Sequence, residues 1–166
     1  MTELICHNNR ITQLDNLPQS LTTLQCSYNE IIYLDNLPLS LNVLMCSHNE
    51  ILQLNNLPSL LRELYCDFNE ITSLDYLPSS LKILYCTSNK ISQLNNLPNS
   101  LNILHCENNE ISELDNLPHV LIKLACSHNY LTSLHNLPSS LHTLYCLRNA
   151  INLDELKKKH PNIRIE

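Results

Sequence analysis

The sequence has no glycine and no tryptophan, and only 10 Lys+Arg against 16 Asp+Glu. Without glycine there is no Gly-rich phosphate loop, no dinucleotide fingerprint and no G-x-S-x-G nucleophile elbow. A net charge of -6 argues against a general nucleic-acid binder, which needs a basic surface. No run approaches the ~18 consecutive apolar residues of a membrane span. The opening MTELICHNNR has no basic region followed by an apolar core, so no secretory signal is read in it. A hydrophobic content of 43% is enough for a packed core and argues against disorder. The 166 residues suit one domain of ordinary size.

What is present is a repeat with a period of 20 residues. Every cysteine of the chain lies on it: Cys6, Cys26, Cys46, Cys66, Cys86, Cys106, Cys126 and Cys146. An asparagine ladder follows three residues later, at Asn9, Asn29, Asn49, Asn69, Asn89, Asn109, Asn129 and Asn149. A proline ladder runs from Pro18 to Pro138. The consensus is L-x-x-L-x-C-x-x-N-x-I-x-x-L-x-x-L-P-x-S. Eight repeats, starting at 1, 21, 41, 61, 81, 101, 121 and 141, cover residues 1–151, and residues 152–166 depart from the pattern. One such repeat cannot fold alone. Ordering it costs on the order of 30 kcal/mol, whereas about six inward apolar side chains return roughly 1.5–3 kcal/mol each. Stacked turns bury both faces of each repeat.

This pattern resembles the leucine-rich repeat family, L-x-x-L-x-L-x-x-N-x-L, in a short form with Cys where the third leucine usually stands. The D-N-L-P wording is similar to that of repeat proteins of giant DNA viruses, and more loosely to the LP-containing repeats of bacterial effectors. The resemblance implies a right-handed solenoid of α/β class dominated by strands: a horseshoe with a parallel concave sheet. Proline and the short period predict an extended convex side, with at most one tight turn, at pairs such as Asp35-Asn36. Leu24 and Cys26 alternate with Thr23 and Gln25, which places the first pair inward and the second on the concave face. Asn29 and its equivalents are expected to bond backbone groups of the next turn. Asn152 with Glu155 reads as a helix cap. The last segment is therefore a short helix and a strand, with Ile163 and Ile165 stacked over Leu144 and Cys146, 19 residues earlier. Lys157, Lys158 and Lys159 suit the end of that helix.

The cysteines are expected to be core filler. Equivalent positions lie ~4.8 Å apart in a parallel sheet, with side chains side by side, which does not suit disulfides. His48 and His128 follow Cys46 and Cys126 closely, but a metal needs converging ligands, so no metal and no cofactor are expected. A reducing, intracellular compartment follows as an expectation.

The exposed positions of the concave face carry the expected function. Met45, Tyr65, Phe68, Ile83, Tyr85, Ile103 and His105 are predicted to cluster mid-sheet, with Tyr145 further along. Central aromatics anchor protein interfaces. Glu50, Glu63, Asp67, Glu70, Glu107 and Glu110 form a rim that favours a basic partner. The expected function is a non-enzymatic module that binds a protein or peptide, with neither nucleic acid nor membrane as partner. Alternatives are a substrate-recognition arm of a ligase-type assembly, or a structural protein that self-stacks. The first repeat has no cap in this sequence, so either fraying or end-to-end self-association is expected there.

Overall fold

The computed structural model describes residues 1–166. Eight strands of three residues recur one per turn: β1 (Glu3–Ile5), β2 (Thr23–Gln25), β3 (Val43–Met45), β4 (Glu63–Tyr65), β5 (Ile83–Tyr85), β6 (Ile103–His105), β7 (Lys123–Ala125) and β8 (Thr143–Tyr145). Helix α1 (Leu153–Lys159) and strand β9 (Arg164–Ile165) follow. All strands form one parallel sheet in sequence order. The register advances by one repeat at each step: Leu4 pairs with Leu24, Leu24 with Leu44, and so on to Leu144. The central leucine of each strand from β2 to β8 is buried and its two neighbours are half-exposed, with Ala125 alone fully covered. Behind the sheet, leucine, cysteine and isoleucine stack in columns. Leu81, Leu84, Cys86 and Ile91 of the fifth turn have no exposed surface, nor do their equivalents one turn away on either side.

The asparagine ladder runs in the direction opposite to the one expected. Asn89 Nδ2 donates to Cys66 O of the preceding turn at 3.0 Å and to Cys86 O of its own turn at 3.1 Å. Its Oδ1 accepts from the backbone N–H of Ile71, also of the preceding turn, at 3.0 Å. Every asparagine from Asn29 to Asn149 does the same. The Asn leaves the strand before the chain turns away, so its amide reaches back to the turn already laid down. The side-chain amide of Asn9 has no such partners and bonds only to Cys6 O and His7 O.

The convex side is free of helix before α1, as proline requires, but it holds more than one tight turn per repeat. Besides the bend at the Asp-Asn pairs, each Pro-x-Ser-Leu closes a turn in which the leucine N–H donates to the proline carbonyl, as from Leu21 to Pro18 at 3.0 Å. The serine of that turn is a second ladder: Ser80 Oγ donates to Ser59 O and Leu61 O of the turn before, at 2.8 and 2.6 Å. Ser40, Ser100 and Ser140 repeat it.

A chain without glycine nevertheless places 13 residues in the left-handed region. Eight of these immediately precede the ladder asparagines, including Tyr28, His48, Phe68 and Ser88, with φ between 52° and 58°. For non-glycine residues this conformation costs roughly 1–2 kcal/mol each. Ser88→Gly is therefore expected to stabilise the fold by about 0.5–1 kcal/mol, the strain relieved less the added entropy of the unfolded chain. Thermal unfolding of the pair decides it; a lower midpoint for the glycine variant refutes the argument.

At the C-terminal end Asn152 caps α1, accepting from Glu155 N at 3.2 Å. Acidic Asp154 and Glu155 lie in the first turn and three lysines in the last, matching the helix dipole. Strand β9 does close the sheet, but the expected register is corrected. Ile165 pairs with Leu144 and Arg164 with Thr143, so the final turn is one residue longer than the repeat, not one shorter. A helix advances 1.5 Å per residue against about 3.3 Å for extended chain, so a turn containing α1 consumes more residues. In the first turn Leu4, Cys6, Ile11 and Leu14 are only half-buried, whereas Leu24, Cys26 and Ile31 are completely covered.

Candidate binding face

The strands present their third and fifth repeat positions on one face, and the position after the cysteine continues it. Strand spacing of ~4.8 Å brings equivalent side chains of successive turns to stacking distance. At the fifth position Tyr65 and Tyr85 are 5.1 Å apart and tilted by 37°, and Tyr85 and His105 stack at 4.2 Å and 12°. Met45 pairs in register with Tyr65, and Ile83 with Ile103. Six of the residues expected mid-sheet therefore lie on adjacent strands. Phe68 stands apart. It follows the end of β4 and stacks on His48 at 4.3 Å, which stacks on Tyr28 at 4.2 Å. This second column lies on left-handed residues at the edge of the sheet; its rings share one repeat position, legible in the sequence, but Phe68 belongs to it and not to the mid-sheet cluster. Tyr145 is separated from His105 by Ala125, and Lys123 lies over its ring, 5.6 Å from the centroid.

Carboxylates interleave with these rings. Asp67 Oδ1 accepts from Thr87 N at 2.8 Å, and Thr87 Oγ1 donates to Glu107 at 2.9 Å. Ser47 donates to Asp67 at 3.4 Å. This ladder of hydroxyls and carboxylates was not foreseen as a unit; its signal is Ser, Asp, Thr and Glu at one repeat position. Burial raises the Asp67 carboxyl above its usual range, with the Thr87 and Ser47 hydrogen bonds opposing. Tyr65 donates its hydroxyl to Glu63 at 2.9 Å, and burial together with that bond pushes its phenol up to about 12. His105 Nδ1 lies 3.7 Å from Glu107. Burial lowers the imidazole, Glu107 and Asp67 oppose that, and Lys123 adds to it. Its Nε2 is buried and has no hydrogen-bond partner. None of these acids meets a lysine or arginine: the ion pairs are Lys90–Glu70, His105–Glu107 and Arg164–Glu166. Glu50 and Glu110 are exposed, and Glu70 is half-exposed and paired.

The cysteines are free thiols, all but Cys6 buried. Cys66 and Cys86 donate to Tyr85 O and His105 O at 3.3 and 3.4 Å, which ties the thiol column to the strands bearing the rings. No group of three His, Cys, Asp or Glu side chains converges to hold a metal. No helix is long and apolar enough to cross a membrane.

No protein-family model matches the chain, and no curated protein matches it. Solved structures do. YopM from Yersinia enterocolitica is 38% identical over 85% of this chain and 32% of its own, with a TM-score of 0.81. The leucine-rich repeat domain of a Shigella effector is 28% identical over 99% of this chain and 80% of its own, with a TM-score of 0.84. The functional domain of InlJ from Listeria monocytogenes, which includes a cysteine ladder, is 33% identical over 95% of this chain and 42% of its own, with a TM-score of 0.69. The chain thus spans about a third of the YopM length and less than half of InlJ. Period, register, asparagine ladder and these neighbours together give the chain the fold of leucine-rich repeat proteins.

Proposed function

We propose that the chain is a non-enzymatic interaction module whose concave face binds a basic protein or peptide. One observation carries this reading. The middle of the sheet displays a column of neighbouring rings, Tyr65, Tyr85 and His105, among carboxylates that no lysine or arginine neutralises. Half-buried carboxylates with no lysine or arginine beside them carry a desolvation cost, and a partner's cation would offset that cost. Apolar rings supply the desolvated anchors of an interface, and the acids supply steering. The effector and internalin neighbours support protein binding in general. The free thiols fit a reducing, intracellular compartment. A second reading, the recognition arm of a larger effector-like assembly, is favoured by the Shigella neighbour being one domain of an effector.

Affinity capture tests the proposal, with wild type beside Tyr65→Ser/Phe68→Ser/Tyr85→Ser/His105→Ser, both checked for folding by circular dichroism. The expected partner is basic, leaves wild type at high salt, and binds the variant at least about 100-fold more weakly, since two interface anchors account for that much. Equal capture by both proteins removes the concave face from consideration. Capture abolished by nuclease replaces the protein partner with nucleic acid.

A further inference from the structure

The ring column of the concave face is interrupted once. At the fifth repeat position the order is Tyr65, Tyr85, His105, Ala125, Tyr145. Ala125 lies in register between His105 and Tyr145, so two ring-bearing strands flank a residue with no ring. The gap spans two strand spacings, about 9.6 Å. The rings of the intact column stand 4.2–5.1 Å apart, so the gap has room for one planar group. Ala125 nevertheless has no exposed surface, and its neighbours close over it. Lys123, two residues earlier on the same strand face, extends its ammonium to 5.6 Å from the centre of the Tyr145 ring. Lys123 is also the only lysine or arginine at the third, fifth or seventh position of any repeat.

We propose that the concave face holds a subsite for one arginine side chain of the partner, between the rings of His105 and Tyr145 above Ala125, which Lys123 fills in the free protein. This rests on the concave face being the binding face. Three observations select arginine. The chain's own occupant is a cation, so the site already accommodates positive charge over an aromatic face. Lys123 forms none of the ion pairs, and a cation held only by a ring is weakly held and displaceable. The gap suits a flat group, and guanidinium is flat, stacks on rings and carries five donors, whereas an ammonium is compact and does neither. An acceptor stands on the His105 side: Glu107 Oε1 lies 3.7 Å from Nδ1.

The test titrates the full chain with N-acetyl-arginine amide, N-acetyl-lysine amide and N-acetyl-tyrosine amide, reading the ring resonances of His105 and Tyr145 by NMR. The arginine probe is expected to shift both rings saturably and to bind more tightly than either other probe. Lys123→Ala, which removes the internal occupant, is expected to tighten arginine binding about fivefold. Ala125→Phe, which fills the gap, is expected to abolish it; this variant folds because Tyr65, Tyr85 and Tyr145 occupy the same repeat position. No saturable ring shift in wild type and Lys123→Ala overturns the proposal, as does a preference for the tyrosine or lysine probe. The captured partner separates the two readings. If it binds Ala125→Phe as tightly as wild type but loses the variant changed at Tyr65, Phe68, Tyr85 and His105, the arginine subsite falls and the concave face stands.

Discussion

Asn89→Ala is expected to cost about 3 kcal/mol of stability and Asn9→Ala less than about 0.5 kcal/mol, although the two occupy the same position of the repeat. In Asn89 one amide serves both the preceding turn and its own. It donates to Cys66 O and Cys86 O and accepts from Ile71 N. Truncation leaves the Ile71 N–H of the preceding turn unpaired in a site where Asn89 itself is only 9% exposed, and it takes one of two donors from Cys66 O and Cys86 O, which keep Asn69 and Asn109. Each buried group left unpaired costs ~1–3 kcal/mol, whereas the net worth of an ordinary hydrogen bond is about 1. Aspartate would not substitute. It keeps the acceptor for Ile71 but turns a charged oxygen towards the carbonyls of Cys66 and Cys86. The side chain of Asn9 bonds only to carbonyls of its own exposed turn, and water replaces its amide at little cost. Urea unfolding followed by circular dichroism measures both variants. Equal losses would mean that the ladder stabilises through local turn geometry, not through the bonds between turns.

The same ladder shows how far this sequence can be read. Its position was legible because a translational repeat gives every turn the same neighbours, so one residue type at one spacing implies one environment. Its direction was not, because a strictly periodic pattern looks the same from the turn before and the turn after. Only the path of the backbone distinguishes Cys66 O from the equivalent carbonyl of the turn ahead. The left-handed residues were hidden for a related reason. Tyr28 and Phe68 have no local preference for φ near +55°, and their backbone bonds to the turns on either side impose it. The final turn was misjudged because counting residues assumes a constant rise, and α1 breaks that assumption. At the candidate site, periodicity correctly placed Met45, Tyr65, Ile83, Tyr85, Ile103 and His105 on adjacent strands. It joined Phe68 to them because spacing alone does not show where β4 ends. The gap at Ala125 is written in the sequence as a missing ring, whereas the cation beside it, Lys123, belongs to a different repeat position and reaches the Tyr145 ring only through the fold.

Above pH 9 the folded chain is expected to lose stability more steeply than its length would suggest, because the core is built on thiols. Burial pushes Cys26 up to about 12, and Cys46, Cys66, Cys86, Cys106 and Cys126 well above their ordinary 9.0. A neighbouring thiol adds to the effect at each of these except Cys86, where Asp67 and Glu107 add to it. The sign follows from proton counting. Once the pH passes the thiol value of the unfolded chain, that chain releases protons which the folded chain keeps. Stability from these groups is therefore complete below about pH 9 and falls as the pH rises towards the folded values. Six thiols without exposed surface give a limiting slope of about 8 kcal/mol per pH unit. A domain stability of about 10 kcal/mol is then exhausted within roughly two pH units. Circular dichroism in a urea series at pH 8, 9, 10 and 10.5 measures the slope. Replacing Cys66 by alanine is expected to make it shallower by about 1.4 kcal/mol per pH unit, whatever the variant loses at neutral pH by leaving a cavity. Constant stability to pH 10.5 would contradict the account. The thiol column would then be open to water often enough to ionise in place, and the cysteines could not serve as closed core.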